Sequence, residues 1–211
     1  MVPDPTFIYH ITSIENLHSI LSNNGLVCIN QLHNEGSSFV NIAYEQIQSR
    51  RSEKQVPLPP FGNLHDYVPF YFAPRSPMLY TINQGNVPQY QGGQKQIIYL
   101  VSTIQQVLSE KIPFVFTDGH AIINYSEFYN DPADLKQIDW GIMNSRYWND
   151  TTEYPDRKRK RQAEFLAFKF FPIDSVLEIG VINDTLQDQA HKILQSNTIN
   201  IPVKVRREWY Y

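Results

Sequence analysis

Apolar residues in this chain fall in short clusters separated by polar punctuation, and the spacing inside each cluster predicts its element. Residues 7–11 (Phe-Ile-Tyr-His-Ile) read as a first strand. Thr12 and Glu15 then stand at capping-box spacing, with Ile14, Leu17, Ile20 and Leu21 on one helical face and Gly25 placed to end the helix. A second helical pattern runs from Asn41 to Arg51, with Ile42, Ala43 and Ile47 on one side. The prolines of residues 56–62 force an extended or turned path. A strand is expected at 67–73, then a short helix at 77–84 that Ser76 caps and Pro77 opens.

Further strands are expected at 96–102 and 113–117, with a helix between them capped by Thr103. Asp131-Pro132 marks another helix start. Residues 141–163 are polar, aromatic and basic with weak periodicity and read as one long loop, the kind of segment that carries function. Strands follow at 164–170 and 176–182, a helix capped by Asp184, and a last strand at 201–208. Helices and strands mix without regular alternation, so the expected class is α+β rather than a doubly wound sheet.

Composition narrows the picture. The 211 residues fit one domain, and 42% hydrophobic with 13% aromatic content supports a substantial core. A net charge of -3 argues against a histone-like binder, while residues 157–161, five consecutive cations, supply a local basic stripe expected to lie in solvent. The single cysteine, Cys28, excludes an internal disulfide and a multi-cysteine zinc site. The start, Met1-Val2-Pro3-Asp4-Pro5, lacks the pattern of a signal peptide, and no apolar run is long enough to span a bilayer. The expectation is a cytoplasmic protein without a membrane partner.

The chemistry concentrates where the basic run meets an apolar strand, in Gln162-Ala163-Glu164-Phe165-Leu166-Ala167-Phe168. A carboxylate entering the core needs a partner, and it can hold a hydroxyl or stabilise a developing cation. The plainer reading of Glu164 is an edge-strand residue paired with an arginine. No second carboxylate stands at a spacing that suits a glycosidase, and no Gly-rich phosphate loop is present. His10, at a strand end, reads first as structural; His18, His33, His65, His120 and His191 are too scattered for a zinc motif, so no metal is expected. Tyr71 offers a ring for stacking, and Arg75 precedes a helix start where anions are favoured, a pair that suits a phosphorylated nucleotide. Arg50-Arg51 by themselves read as a solvated helix end.

Taken together, Tyr9-His10-Ile11-Thr12, the stretch His65–Tyr80 (His-Asp-Tyr-Val-Pro-Phe-Tyr-Phe-Ala-Pro-Arg-Ser-Pro-Met-Leu-Tyr), Gln162–Phe168 and the closing Trp209-Tyr210-Tyr211 resemble the His-Tyr-Glu arrangement of NAD-dependent ADP-ribosyltransferases, and most closely the DarT family of DNA-modifying toxins. The resemblance covers nearly the whole chain. It implies a single ADP-ribosyltransferase domain over 1–211, built on a central split β-sheet with flanking helices, with a substrate-recognition loop at about 141–163. It implies transfer of ADP-ribose from NAD to a base, thymidine in the branch it most resembles, of single-stranded DNA, with no metal. Glu164 becomes the catalytic glutamate, and Arg51 the arginine that orients the base and stabilises its charge. A guanidinium is a poor general base. His10, Thr12, Tyr71, Arg75 and Ser76 fall at the dinucleotide. Tyr147, Trp148 and Tyr154 are expected to stack on bases, with Arg157, Lys158, Arg159 and Lys160 on phosphates. A macrodomain antitoxin that removes the mark is the implied partner. Two other readings stay open: a single-strand nucleic-acid binding module of the same fold without turnover, and the same chemistry on RNA or protein.

Overall fold

The computed structural model describes residues 1–211. Ten strands form: β1 (Phe7–Ser13), β2 (Gly25–Val27), β3 (Tyr67–Tyr71), β4 (Ile97–Thr103), β5 (Phe114–Thr117), β6 (Phe128–Tyr129), β7 (Glu164–Phe168), β8 (Phe170–Pro172), β9 (Glu178–Val181) and β10 (Val203–Val205). Eight α-helices accompany them: α1 (Leu17–Ser22), α2 (Ile29–Asn34), α3 (Glu45–Glu53), α4 (Pro77–Asn83), α5 (Ile104–Ser109), α6 (Trp140–Asn144), α7 (Arg157–Arg161) and α8 (Asp184–Ser196).

Eight strands make the central sheet, in the order β10-β9-β4-β1-β3-β7-β5-β6, antiparallel except between β9 and β10. β2 and β8 form a separate small sheet. Every residue of β4 is buried. Its Ile98 and Leu100 join the core on one face, and Ile97, Tyr99 and Val101 join that on the other. This two-residue period is why an unbroken apolar run suits a strand covered on both sides.

The sheet is nearly divided at its middle. β1 and β4 share seven register pairs and β3 and β7 share five, yet β1 meets β3 only at Tyr9 opposite Tyr71. Pro69 is one cause. In a strand a residue's N–H and C=O point to the same neighbour, and proline has no N–H to give. Its carbonyl accepts instead from the His10 ring, at 2.8 Å from Nδ1. The expected α+β fold with a split sheet is the one observed.

Several local expectations shift. β1 continues through Thr12, and Ser13 is the cap: its side chain accepts from Glu15 N, so the Thr12–Glu15 box does not form. Thr12 Oγ1 accepts from Asn16 Nδ2. The helix expected from Asn41 is α3 and begins at Glu45, four residues later than its apolar pattern, because Ile42 and Ala43 are buried ahead of it and Tyr44, with extended backbone, is its cap. Asn183, not Asp184, caps α8.

The largest change is at 141–163, which is not a loop throughout. Asp139 accepts from Ile142 N and caps α6, and the five cations form α7. Charge repulsion along the run is overcome by Asp156 beside it, which pairs with Arg159, and by partners remote in sequence. Arg159 meets Asp118, Lys160 meets Asp139, and the buried Arg161 donates to the Ile142, Met143 and Pro74 carbonyls.

Candidate active site

Glu164 opens β7 opposite Tyr71 on β3, at the strand ends beside the split. It is only 2% exposed. Its Oε2 accepts from Arg51 Nη1 at 2.7 Å; its Oε1 accepts from His120 Nδ1 at 3.1 Å and from the Ala121 amide at 3.0 Å. Burial alone would push the carboxyl pKa up. The Arg51 charge, His120 and the Ala121 amide outweigh it and hold the group at about 2. Glu164 is therefore ionised at any physiological pH. A carboxylate offers about four acceptor positions. Three are filled, and the free one, on Oε2, is where a substrate hydroxyl can bind.

Three elements converge to build this arrangement. α3 delivers Arg51, itself 7% exposed, and the guanidinium Nη2 is buried without a partner. The loop after β5 delivers His120 and Ala121. Because a carboxylate can only accept, His120 Nδ1 carries a proton, so Nε2 is the nitrogen the ring can offer as an acceptor. The same logic applies to His10: Nδ1 donates to Pro69, and burial lowers the ring pKa to about 4 against that hydrogen bond.

These groups line one cleft. A cavity of about 490 Å³ is bordered by Glu164, Arg51, His120, His10, Tyr71 and Lys158. A smaller cavity of about 150 Å³ adjoins it across His10, Gln48 and Pro69 and is lined by Thr12, Asn16 and Phe39. Two chambers meeting at a neutral histidine fit a two-ended, dinucleotide-like molecule. An acceptor nitrogen, a buried free guanidinium N–H and an open carboxylate position together match the hydroxyls and carbonyls of such a ligand. No group of three or more His, Cys, Asp or Glu side chains is placed to hold a metal.

The other residues singled out from sequence divide. Ser76 caps α4 by accepting from Leu79 N, and Arg75 donates to the Tyr210 carbonyl and stacks on the Tyr211 ring. Neither lines the cleft. Tyr147 and Tyr154 are open to solvent, at 74% and 55% exposure. Trp148 is buried at 7%, and its Nε1 donates to Tyr211 Oη, so its ring packs inside rather than offering a face to a base. Of the four cations expected on phosphates, Arg157 donates to Ser145 Oγ and the Tyr147 carbonyl, while Lys160 pairs with Asp139. Arg159 has its whole fork occupied by Asp118, Asp156 and Ser126. Only the exposed Lys158 has no side-chain partner, and it stands at the cleft. His120 was missed. Nothing in the spacing joins residue 120 to residue 164; only the β5–β7 pairing brings them together.

A sheet split beside a buried, ionised glutamate, with a two-chambered cleft along the split, matches what the resemblance to NAD-dependent ADP-ribosyltransferases implies. The chain belongs more narrowly to the DarT family, described as ssDNA thymidine ADP-ribosyltransferase, whose profile matches residues 9–211. A DNA ADP-ribosyl transferase of Thermus aquaticus is 46% identical over 211 residues, covering 99% of this chain and 90% of that protein. Thermus sp. 2.9 DarT in complex with ADP-ribosylated ssDNA superposes with a TM-score of 0.93 at 43% identity, over 100% of this chain and 99% of that one. The same protein in complex with NAD+ superposes at 0.88 with 41% identity, covering 100% of both chains. A Thermosipho africanus DNA ADP-ribosyl transferase-DNA ADP-ribosyl glycohydrolase fusion protein is 24% identical over 205 residues, which make up 96% of this chain and 49% of the fusion.

Proposed function

We propose that this chain transfers ADP-ribose from NAD to the thymine base of single-stranded DNA, and that Glu164, Arg51 and His120 carry the step. The observation that carries the reading is the Glu164 carboxylate, buried and ionised, with one acceptor position open to the cleft. NAD supplies a ribose whose bond to nicotinamide breaks, with the electron pair leaving on the nicotinamide. Positive charge then develops on the ribose, as at a glycosidic centre. Glu164 Oε2 accepts from a ribose hydroxyl and stabilises that charge from a fixed, water-poor position.

Thymine in a strand has one ring N–H. His120 Nε2, the acceptor nitrogen of the tautomer that the Nδ1 bond to Glu164 selects, accepts that proton as the base nitrogen bonds to the ribose carbon. The unpaired Arg51 Nη2 donates to an oxygen of the base and stabilises its negative charge. His10 Nε2 accepts from a hydroxyl at the junction of the two chambers, Thr12 lines the smaller one, and Tyr71 closes one wall of the larger. Arg75 and Ser76 contribute by fixing the segment ahead of α4. Tyr147 and Tyr154 supply exposed rings for bases, with Lys158 for a phosphate.

We place this activity in the cytoplasm, as a toxin. No helix of the chain is long and apolar enough to cross a membrane. The fused Thermosipho protein supports a partner of the DNA ADP-ribosyl glycohydrolase type, the macrodomain antitoxin expected from the resemblance. The test is intact mass of oligonucleotides incubated with NAD. A gain of one ADP-ribose on thymidine-containing strands, absent from thymidine-free strands and from Glu164→Gln protein, is expected. Equal gain on all strands would sink the base assignment, and no gain would sink the reading.

A further inference from the structure

We infer that Arg159 is a positioning residue for the transfer step, a clamp that holds the His120–Ala121 loop against Glu164, and not a DNA phosphate contact. The inference rests on the proposed chemistry of that site. The side chain of Arg159 is 10% exposed. Its Nε and Nη2 donate to the Asp156 carboxylate, and Nη1 donates to Asp118 Oδ1 at 2.9 Å and Ser126 Oγ at 3.1 Å. The two carboxylates and the hydroxyl leave the guanidinium no free face for an anion.

Those partners frame the loop that serves Glu164. The His120 amide donates to the Arg159 carbonyl at 3.0 Å. Ser126 Oγ, held by Arg159, donates to the His120 carbonyl at 2.8 Å. Gly119 gives independent support. A Cβ there would fall against the Arg159 guanidinium and Cγ, so the bare glycine lets the side chain lie flat across the loop. At the far end of the loop, Thr117 Oγ1 donates to the Gly119 carbonyl and accepts from the Glu164 amide. Arg159 thus reaches the carboxylate through His120 and Ala121 without touching substrate. A misplaced loop would lose both Oε1 hydrogen bonds.

The clamp and the phosphate contact predict opposite results. For Arg159→Ala, the clamp predicts kcat down by about 100-fold, the usual cost of an ångström-scale misplacement. KM for both substrates, and the salt slope of DNA binding, stay within about twofold of wild type, since no released counterion is lost. The acid limb of the kcat profile moves to higher pH as the Glu164 carboxyl loses donors. Arg159→Lys, which keeps the charge but not the fork, fails to rescue. Asp118→Ala also lowers kcat, whereas freeing a phosphate-binding arginine would strengthen DNA binding. A shallower salt slope in Arg159→Ala with kcat intact, or tighter DNA binding with kcat intact in Asp118→Ala, overturns the clamp.

One readout does not need turnover. Amide hydrogen exchange at Ala121 should speed up in Arg159→Ala while the β4 amides stay protected, which also controls for folding. Unchanged exchange at Ala121 overturns the inference even if the wild-type protein modifies no strand; that second failure would refute the proposed function alone.

Discussion

At the scale of single residues, the Arg51–Glu164 pair is asymmetric in what its loss costs. Removing one member leaves the other charged and buried, so Arg51→Ala should lower unfolding stability by about 3 kcal/mol in urea titrations. Glu164→Gln can still accept hydrogen bonds and should unfold with a smaller loss, while transfer falls by about 100-fold or more. The same residues set an acid sensitivity whose sign is fixed. Burial lowers His10 and His65 from 6.5 to about 4, so the unfolded chain takes up these protons first and stability falls as pH drops from 6.5 to 4. Glu164, held at about 2 against an ordinary 4.5, adds a further loss between 4.5 and 2. Unfolding free energy followed against pH should therefore decline in two stages, and His10→Gln should flatten the upper one. A flat profile between pH 4 and 6.5 in the wild type would contradict a buried neutral His10.

Among the elements, α7 is the one whose sequence is least like its structure. Arg161 donates to two carbonyls at the end of α6 and to Pro74 after β3, so Arg161→Met should cost about 3 kcal/mol and loosen α6 and α7 together. Thermal melts with helix-resolved exchange would read this; loss of protection in α7 alone would mean that Arg161 does not couple the two. Strands carried by a dense apolar run, β4 and β5, were legible at nearly their true bounds, as was α4, whose Ser76-Pro77 start is a local signal. α7 was not legible because two of its three compensating carboxylates, Asp118 and Asp139, lie 41 and 21 residues away, and only Asp156 is near. Glu164 stood out from its place at the start of an apolar strand, His10 and Arg51 needed the family resemblance, and His120 escaped because its link to Glu164 is made only by the fold. Trp148 was misjudged because an aromatic in a polar stretch gives no sign of which ring turns inward; its partner, Tyr211, is 63 residues on.

For the molecule as a whole, a net charge of -3 leaves DNA binding to a small local set of cations. With Arg159 and Lys160 paired internally, the salt slope should be shallow, losing about 0.7 when Lys158→Ala removes one single-strand phosphate contact. The seam between β1 and β3 has a different consequence, a mechanical one. Joined in the sheet by one register pair and one imidazole, the half-sheet carrying His10 and the half-sheet carrying Glu164 share side-chain packing but little backbone cement. A dinucleotide touching both would act as the mortar. Binding would then be legible as cohesion: at a ligand concentration about 100 times its Kd the protein should gain about 2.7 kcal/mol, with exchange slowing most along the two strands that face each other across the seam.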